Sequence, residues 1–338
     1  MHMADALLSP AVGGTMWAVT AGTIAWCSRR IKGGLDDSKL PLMGVLGAFV
    51  FAVQMINFAI PGTGSSGHLG GGLLLTILLG PAAAFLSIAS VLTVQALFFA
   101  DGGLLALGCN IFNLGFFPCF VAWPLVFRRL AGKTPSPGRL YGATVLAALV
   151  ALQFGAFAVV AETALSGVAE LPFATFLLVM QPIHLAIGLV EGVVTAALIA
   201  FIARARPEIL ATAVIGGPLR TTPLKPLLAA LVVATVLVGT GLSWFASSRP
   251  DGLEWSIARV ANGTEPQAPQ DGWHGTLSRL QEKIALLPDY GFRGRGGEAP
   301  TAESSVDAGT SLSGLVGGLA TLGITLLVGF LLRRRQRT

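Results

Sequence analysis

Charge is what this chain has least of. Asp, Glu, Lys and Arg together make up 12% of its 338 residues, where a soluble domain carries about 25%. Residues 40–100 contain none of the four. That deficit excludes an ordinary soluble domain and predicts an all-α polytopic membrane protein. The net charge of +5 then reads as loop topology rather than as affinity for nucleic acid. Cysteine is scarce as well. Cys27, Cys109 and Cys119 all fall inside apolar segments, which leaves no disulfide framework and no Cys-x-x-Cys metal pair. Packing thiols are the reading. A Gly-x-x-x-x-Gly-Lys-Ser/Thr loop, a His-Glu-x-x-His pair and a Gly-x-Ser-x-Gly elbow are all missing, so no ATPase, metalloprotease or serine hydrolase of those types is encoded. The N-terminus has neither the basic flank nor the cleavage site of a signal peptide, so Met1 and His2 are expected to persist.

Apolar runs set the topology. Residues 11–28 are charge-free and end at Arg29-Arg30-Ile31-Lys32; eighteen residues just cross a bilayer core, and the basic cluster marks the cytoplasmic side. A second span, 41–60, returns outward and delivers the Gly-rich loop 61–72 to the side of the N-terminus. Between residue 71 and the basic cluster Arg128-Arg129, an odd number of crossings must fit. Three short helices, broken near Gly80-Pro81 or Ser90 and near Asp101-Gly102-Gly103, satisfy this; so does one helix with a re-entrant piece. Spans follow at 140–161, 173–203, 227–246 and 312–332, the last closed by Arg333-Arg334-Arg335. Parity predicts about nine crossings of an inner membrane, N-terminus out and C-terminus in. The proline-punctuated stretch 207–226 divides a domain of about seven spans (1–206) from a two-span module (227–338) with an outer segment between its spans.

There are four histidines. A chain beginning Met1-His2 offers the α-amine, the His2 amide nitrogen and the His2 Nδ1 for two fused chelate rings. One more imidazole completes a four-nitrogen square suited to Ni(II) or Cu(II). His68, at the centre of the glycine-rich outer loop, is the candidate. That loop is compatible with close packing over a small site or with a flexible linker. His184 and Glu191 lie seven residues apart and so share one helix face; they read equally as a transport pair or as helix-packing groups. His274 falls in the outer segment.

At these residues the chain resembles a known family. Its opening Met-His-Met-Ala-Asp-Ala-Leu-Leu-Ser-Pro, Gln54-Met55-Ile56-Asn57-Phe58 leading to Ser66-Gly67-His68-Leu69, residues 95–103 (Gln-Ala-Leu-Phe-Phe-Ala-Asp-Gly-Gly), and His184-Leu185-Ala186-Ile187-Gly188 with Glu191-Gly192 are similar to the metal-binding component of nickel and cobalt energy-coupling factor transporters. The resemblance covers about residues 1–205. It implies a helical bundle that takes Ni²⁺ or Co²⁺ as cargo on Met1, His2 and His68, without a resident cofactor. Asn57, His184 and Glu191 then stand around the ion or on its path. It also implies partners: a coupling membrane subunit and two ATPase subunits that hydrolyse ATP. Pro250-Asp251-Gly252-Leu253-Glu254 resembles the PDGLE accessory module, here fused, while the last third of the tail matches nothing. All three proposed ligands precede the linker, so the tail is expected to supply none. Nickel leads slightly, because a planar four-nitrogen site favours its low-spin d⁸ ion. The rivals are a vitamin-capture component of the same class, which would need a larger pocket, and a membrane scaffold or metal sensor that transports nothing.

Overall fold

Apolar backbone in lipid can satisfy its own N–H and C=O groups by winding into helix, and helix dominates here. The computed structural model describes residues 2–31, 39–205, 224–263, 266–293 and 308–334. Helices α1 (Pro10–Ile31) and α2 (Lys39–Gln54) precede a minimal antiparallel pairing of β1 (Phe58–Ala59) with β2 (Ser66–Gly67), Phe58 opposite Gly67. Then come α3 (Gly72–Leu79), α4 (Pro81–Phe99), α5 (Leu107–Ala131), α6 (Pro137–Ser166) and α7 (Phe173–Ala205). The tail contributes α8 (Lys225–Thr240), α9 (Gly252–Val260), α10 (Gly272–Ile284) and α11 (Ala308–Arg334). Of the predicted linker 207–226, residues 207–223 lie outside the described residues.

Local chemistry sets the breaks. Gly80 takes φ +81 and Pro81 opens α4, a first-turn position where its missing N–H costs nothing. Ser90 stays helical, its hydroxyl bonded to the Leu86 carbonyl at 2.9 Å. Ala100 (φ +54) and Gly102 (φ +78) then turn the chain out of α4. Three helices therefore occupy 72–131, but α3, with eight residues, reaches only about 12 Å. It cannot traverse a bilayer alone, and the loop before it must make up the depth. α5 opens into wider turns over Phe112–Phe127, where Pro118 and Pro124 donate no backbone hydrogen bond.

Five described helices (α4, α5, α6, α7 and α11) are long and apolar enough to span a membrane. The α4 span is 78% buried and forms the centre. Around it, α6 and α7 run together, joined by side-chain amides donated reciprocally between Gln153 and Gln181 (3.0 and 3.2 Å to backbone oxygen). Small residues let the tail spans approach: a Cβ on Gly314 of α11 would come within 2.2 Å of the Gly239 carbonyl of α8, and one on Gly317 within 1.9 Å of the Phe51 ring of α2. Such glycine contacts are how helices pack without a hydrophobic drive. The tail is thus seated on the first domain through α2.

Replacing Gly314 with Val should destabilise the protein by about 1–3 kcal/mol through overpacking, whereas Gly323→Val on the same helix meets open space and should be nearly neutral. Thermal unfolding of the two variants in detergent reads the contrast.

Candidate metal site

The first residues of the described chain are folded into the protein. Met3 N–H donates to Asn110 Oδ1 (2.7 Å), while Asn110 Nδ2 and the Gly103 N–H both donate to the Met3 carbonyl (3.2 and 3.0 Å). Asp5 Oδ1 accepts from the Ala106 N–H at 2.9 Å. His274 of α10 donates through Nε2 to the Leu8 carbonyl at 2.8 Å. Met1 lies outside the described residues. The segment it precedes carries the His2 side chain inside, where it is 8% exposed.

His2 meets His68 there. Their rings stack with centroids 5.0 Å apart and planes 13° from parallel. His68 is carried by a loop that is packed, not free. Both oxygens of the Glu191 carboxylate accept from it, one from Gly70 N–H (2.9 Å) and one from Gly71 N–H (3.1 Å), and Gln54 Nε2 donates to the Gly70 carbonyl (2.7 Å). Glycine is required for this approach: Gly71 has φ +71, and a Cβ on Gly67 would sit 2.5 Å from Ile187. Close packing, rather than a flexible linker, explains the loop's composition.

The shared face of His184 and Glu191 is confirmed in that both are buried and both face this loop. His184 Nδ1–H donates to the Met180 carbonyl at 2.8 Å within its own helix, leaving Nε2 buried without a partner among the described residues. Together with His68, Gly70, Ile187 and Asp251 it lines a cavity of about 10 Å³, room for one water-sized group. Asn57 does not line it; its carbonyl accepts from Ser247 N–H (2.7 Å) and ties the post-α2 turn to the tail.

Burial disfavours the charged imidazolium, lowering His2 to about 3 and pulling His68 down in the same direction. Both rings are therefore neutral at physiological pH, the form that offers a lone pair to a metal. The His68 Nδ1 contact to the Leu69 carbonyl (3.3 Å) puts its proton on Nδ1 and makes Nε2 the lone-pair nitrogen.

Three further residues surround the histidines. Asp101 Oδ1 lies 3.2 Å from His2 Nδ1, and Tyr290 donates its hydroxyl to Asp101 Oδ2 at 2.5 Å. Asp251 caps α9, its Oδ1 accepting from Leu253 and Glu254 N–H (2.8 and 2.9 Å), at the cavity wall. The tail comes to the site after all: Ser66 donates to the Arg249 and Pro250 carbonyls, and Trp255 Nε1 donates to the Thr63 carbonyl at 3.0 Å. All three proposed ligands precede the linker; what sequence reasoning missed is this packing of the tail against the site. Its sequence signal was there in Asp101, the single charge in residues 71–127. Tyr290, separated from Asp101 by 189 positions, carried none.

Buried neutral imidazoles with carboxylates behind them suit a borderline-soft divalent cation. A family model described as the cobalt uptake substrate-specific transmembrane region matches residues 2–209. The chain belongs to this family. A second model, the PDGLE domain, matches residues 225–334, so this family member carries the accessory domain in the same polypeptide. A protein of Archaeoglobus fulgidus named as a putative fused nickel transport protein is 32% identical over the full length of both chains. The fused nickel transport protein of Rhodobacter capsulatus is 32% identical over 97% of each. Among solved structures, a transition metal transporter shares 28% identity and a TM-score of 0.55 over 62% of this chain and 95% of its own. The family's helical fold therefore holds for the first domain, and a multi-pass membrane protein follows.

Because Glu191 accepts two loop N–H groups, Glu191→Gln turns an amide NH₂ toward one of them. The variant should lose about 1–3 kcal/mol of stability, read by thermal unfolding, and should loosen the loop that carries His68.

Proposed function

We propose that this protein captures Ni²⁺ or Co²⁺ at the outer membrane face as the substrate-binding component of an energy-coupling factor importer. Met1, through its amine, His2 and His68 are the ligands. A coupling membrane subunit and two ATPase subunits drive release with ATP. The observation that carries the reading is the stacking of two neutral histidines from sequence positions 2 and 68, the His2 side chain 8% exposed and His68 buried at the wall of a cavity of about 10 Å³. Relatives named for nickel transport and, in Geobacter sulfurreducens, for cobalt transport (30% identical over 80% of each chain) support the same cation class. A vitamin would need several hundred Å³ lined by apolar groups, which this cavity does not offer. Since burial keeps the imidazoles neutral well below pH 6, proton competition with the metal falls on the amine and amide nitrogens. The sequence match is to transport proteins, and the chain is read as a carrier without enzymatic activity of its own.

The same site bears on the relative placement of the loops. The loop carrying His68 and the turn carrying Asp101 both meet His2, so α3 and α4 form a descending and ascending pair. This supports the parity that puts the N-terminus outside, the C-terminus inside and the crossings at about nine. The packed loop 66–71 completes the short traverse of α3.

Two experiments test the reading. His68→Ala should reduce Ni(II) affinity by at least about tenfold, since losing even a hydrogen-bond partner behind a metal ligand costs about 10–100-fold, in equilibrium dialysis against a C-terminally tagged parent. An N-terminal tag, or an alanine inserted between Met1 and His2, should do the same by removing or displacing the amine. Undiminished affinity in the tagged form would rule out amine ligation. For topology, Thr276→Cys should be labelled by an impermeant reagent outside intact cells and Thr134→Cys should not. Both native positions are exposed, while the native cysteines are buried. Labelling of position 134 would reverse the orientation.

A further inference from the structure

Resting on the capture reading above, we propose that Asp101 and Tyr290 form a latch that holds His2 in a metal-free posture, placing capture under the control of the C-terminal module. In the chelate, His2 binds through Nδ1, the ring nitrogen able to close a six-membered ring with the amide of the same residue. Here Nδ1 faces Asp101 Oδ1 at 3.2 Å. One nitrogen cannot serve a carboxylate and a metal together. The ring stack imposes the same condition. A coordinated ion lies near the plane of each imidazole that binds it, and two planes stacked 5.0 Å apart at 13° share no such point within bonding distance. His2 must turn away from Asp101 before the two histidines can hold one ion.

Asp101 is itself held by the tail. The Tyr290 hydroxyl donates to its Oδ2 at 2.5 Å, and the Tyr290 ring stacks on Phe99 (5.0 Å, 16°) beside Phe51. Gln281 donates to the Ala96 and Gly102 carbonyls (2.9 and 2.7 Å), and the Leu286 and Leu287 N–H groups donate to the Phe98 carbonyl. The segment 281–290 thus grips the turn on both sides of Asp101. Asp289 and Tyr290 keep positive φ (51° and 60°), a conformation non-glycine residues hold only where surroundings enforce it. Tyr290 and Asp101 are positioning residues in this scheme; neither touches the ion.

The test uses the full chain with a C-terminal tag and Ni(II) alone, with association rates followed by stopped flow against a chromogenic chelator. Tyr290→Phe keeps the ring in its aromatic stack and Asp101 beside His2, removing only the hydroxyl that fixes the carboxyl group. It should bind Ni(II) about threefold faster and correspondingly tighter. Asp101→Asn, whose amide holds an imidazole less strongly, should gain about tenfold, the scale of one charge-assisted hydrogen bond. A purely structural role would lower affinity instead. Unchanged or slower binding by Tyr290→Phe overturns the latch and makes Asp101 a support for the metal-bound ring. Should Tyr290→Phe fail to fold, Asp101→Asn decides in the same sense. Failure of the parent to bind Ni(II), or His68→Ala binding like the parent, brings down the capture reading itself, a result distinct from the latch alone failing.

Discussion

A single amide organises the N-terminal end of this molecule. Asn110 accepts from the N–H of Met3 and donates to its carbonyl, replacing the pairing a neighbouring strand would give. Backbone polar groups away from water must be satisfied, and a lone extended segment has no strand beside it. Asn110 and the Gly103 N–H supply the partners. Without them Met3, fully buried, would carry unpaired groups inside the protein, and the segment would leave for solvent with His2. The proposed metal site therefore depends on Asn110 through the backbone of Met3.

The second constraint is the loop. A carboxylate in a membrane helix is costly unless it is fully engaged, and Glu191 is engaged by two glycine N–H groups. The exchange is mutual: the loop gains an anchor in α7, and the carboxylate gains donors. His184, two helical turns earlier, presents toward the same cavity a nitrogen without a partner among the described residues. The helix face thus does two jobs: Glu191 holds the loop, and His184 lines the space the loop covers.

Much of this was legible in the sequence where the signal is local. The 7-residue spacing of His184 and Glu191 gave a shared face, and Gly80-Pro81 and Asp101-Gly102-Gly103 gave breaks, because turn chemistry acts within a few residues. The cargo class was legible from His2 and His68 because so few polar groups compete with them. What stayed hidden is long-range. The choice between three short helices and one helix with a re-entrant piece stayed open, since hydropathy cannot separate a crossing helix from a short helix completed by a packed loop. Asn110, inside an apolar run, reads as a helix residue until Met3 is placed beside it. Asp101 stood out as an isolated charge, yet its partner Tyr290 lies in a polar segment with no periodicity to orient it.

The energetics of the latch are of the size that regulates rather than blocks. A hydrogen bond to a charged group contributes about 1.5–3 kcal/mol, whereas a structural Zn²⁺ in a zinc-finger peptide binds with an apparent free energy of about 10–16 kcal/mol. A transition-metal ion offered to the amine, amide and His68 therefore displaces Asp101 from His2. Weaker ligands of imidazole, such as Mg²⁺ or Ca²⁺, prefer oxygen donors and gain too little at nitrogen to do so. In the absence of a fitting ion the latch also gives His2 Nδ1 a partner in a site where an unpaired nitrogen would be penalised. The tail thereby stabilises the empty site and sets a threshold for filling it. Fusing the module to the capture domain keeps that threshold at one latch per site, because Tyr290 and His2 belong to the same chain.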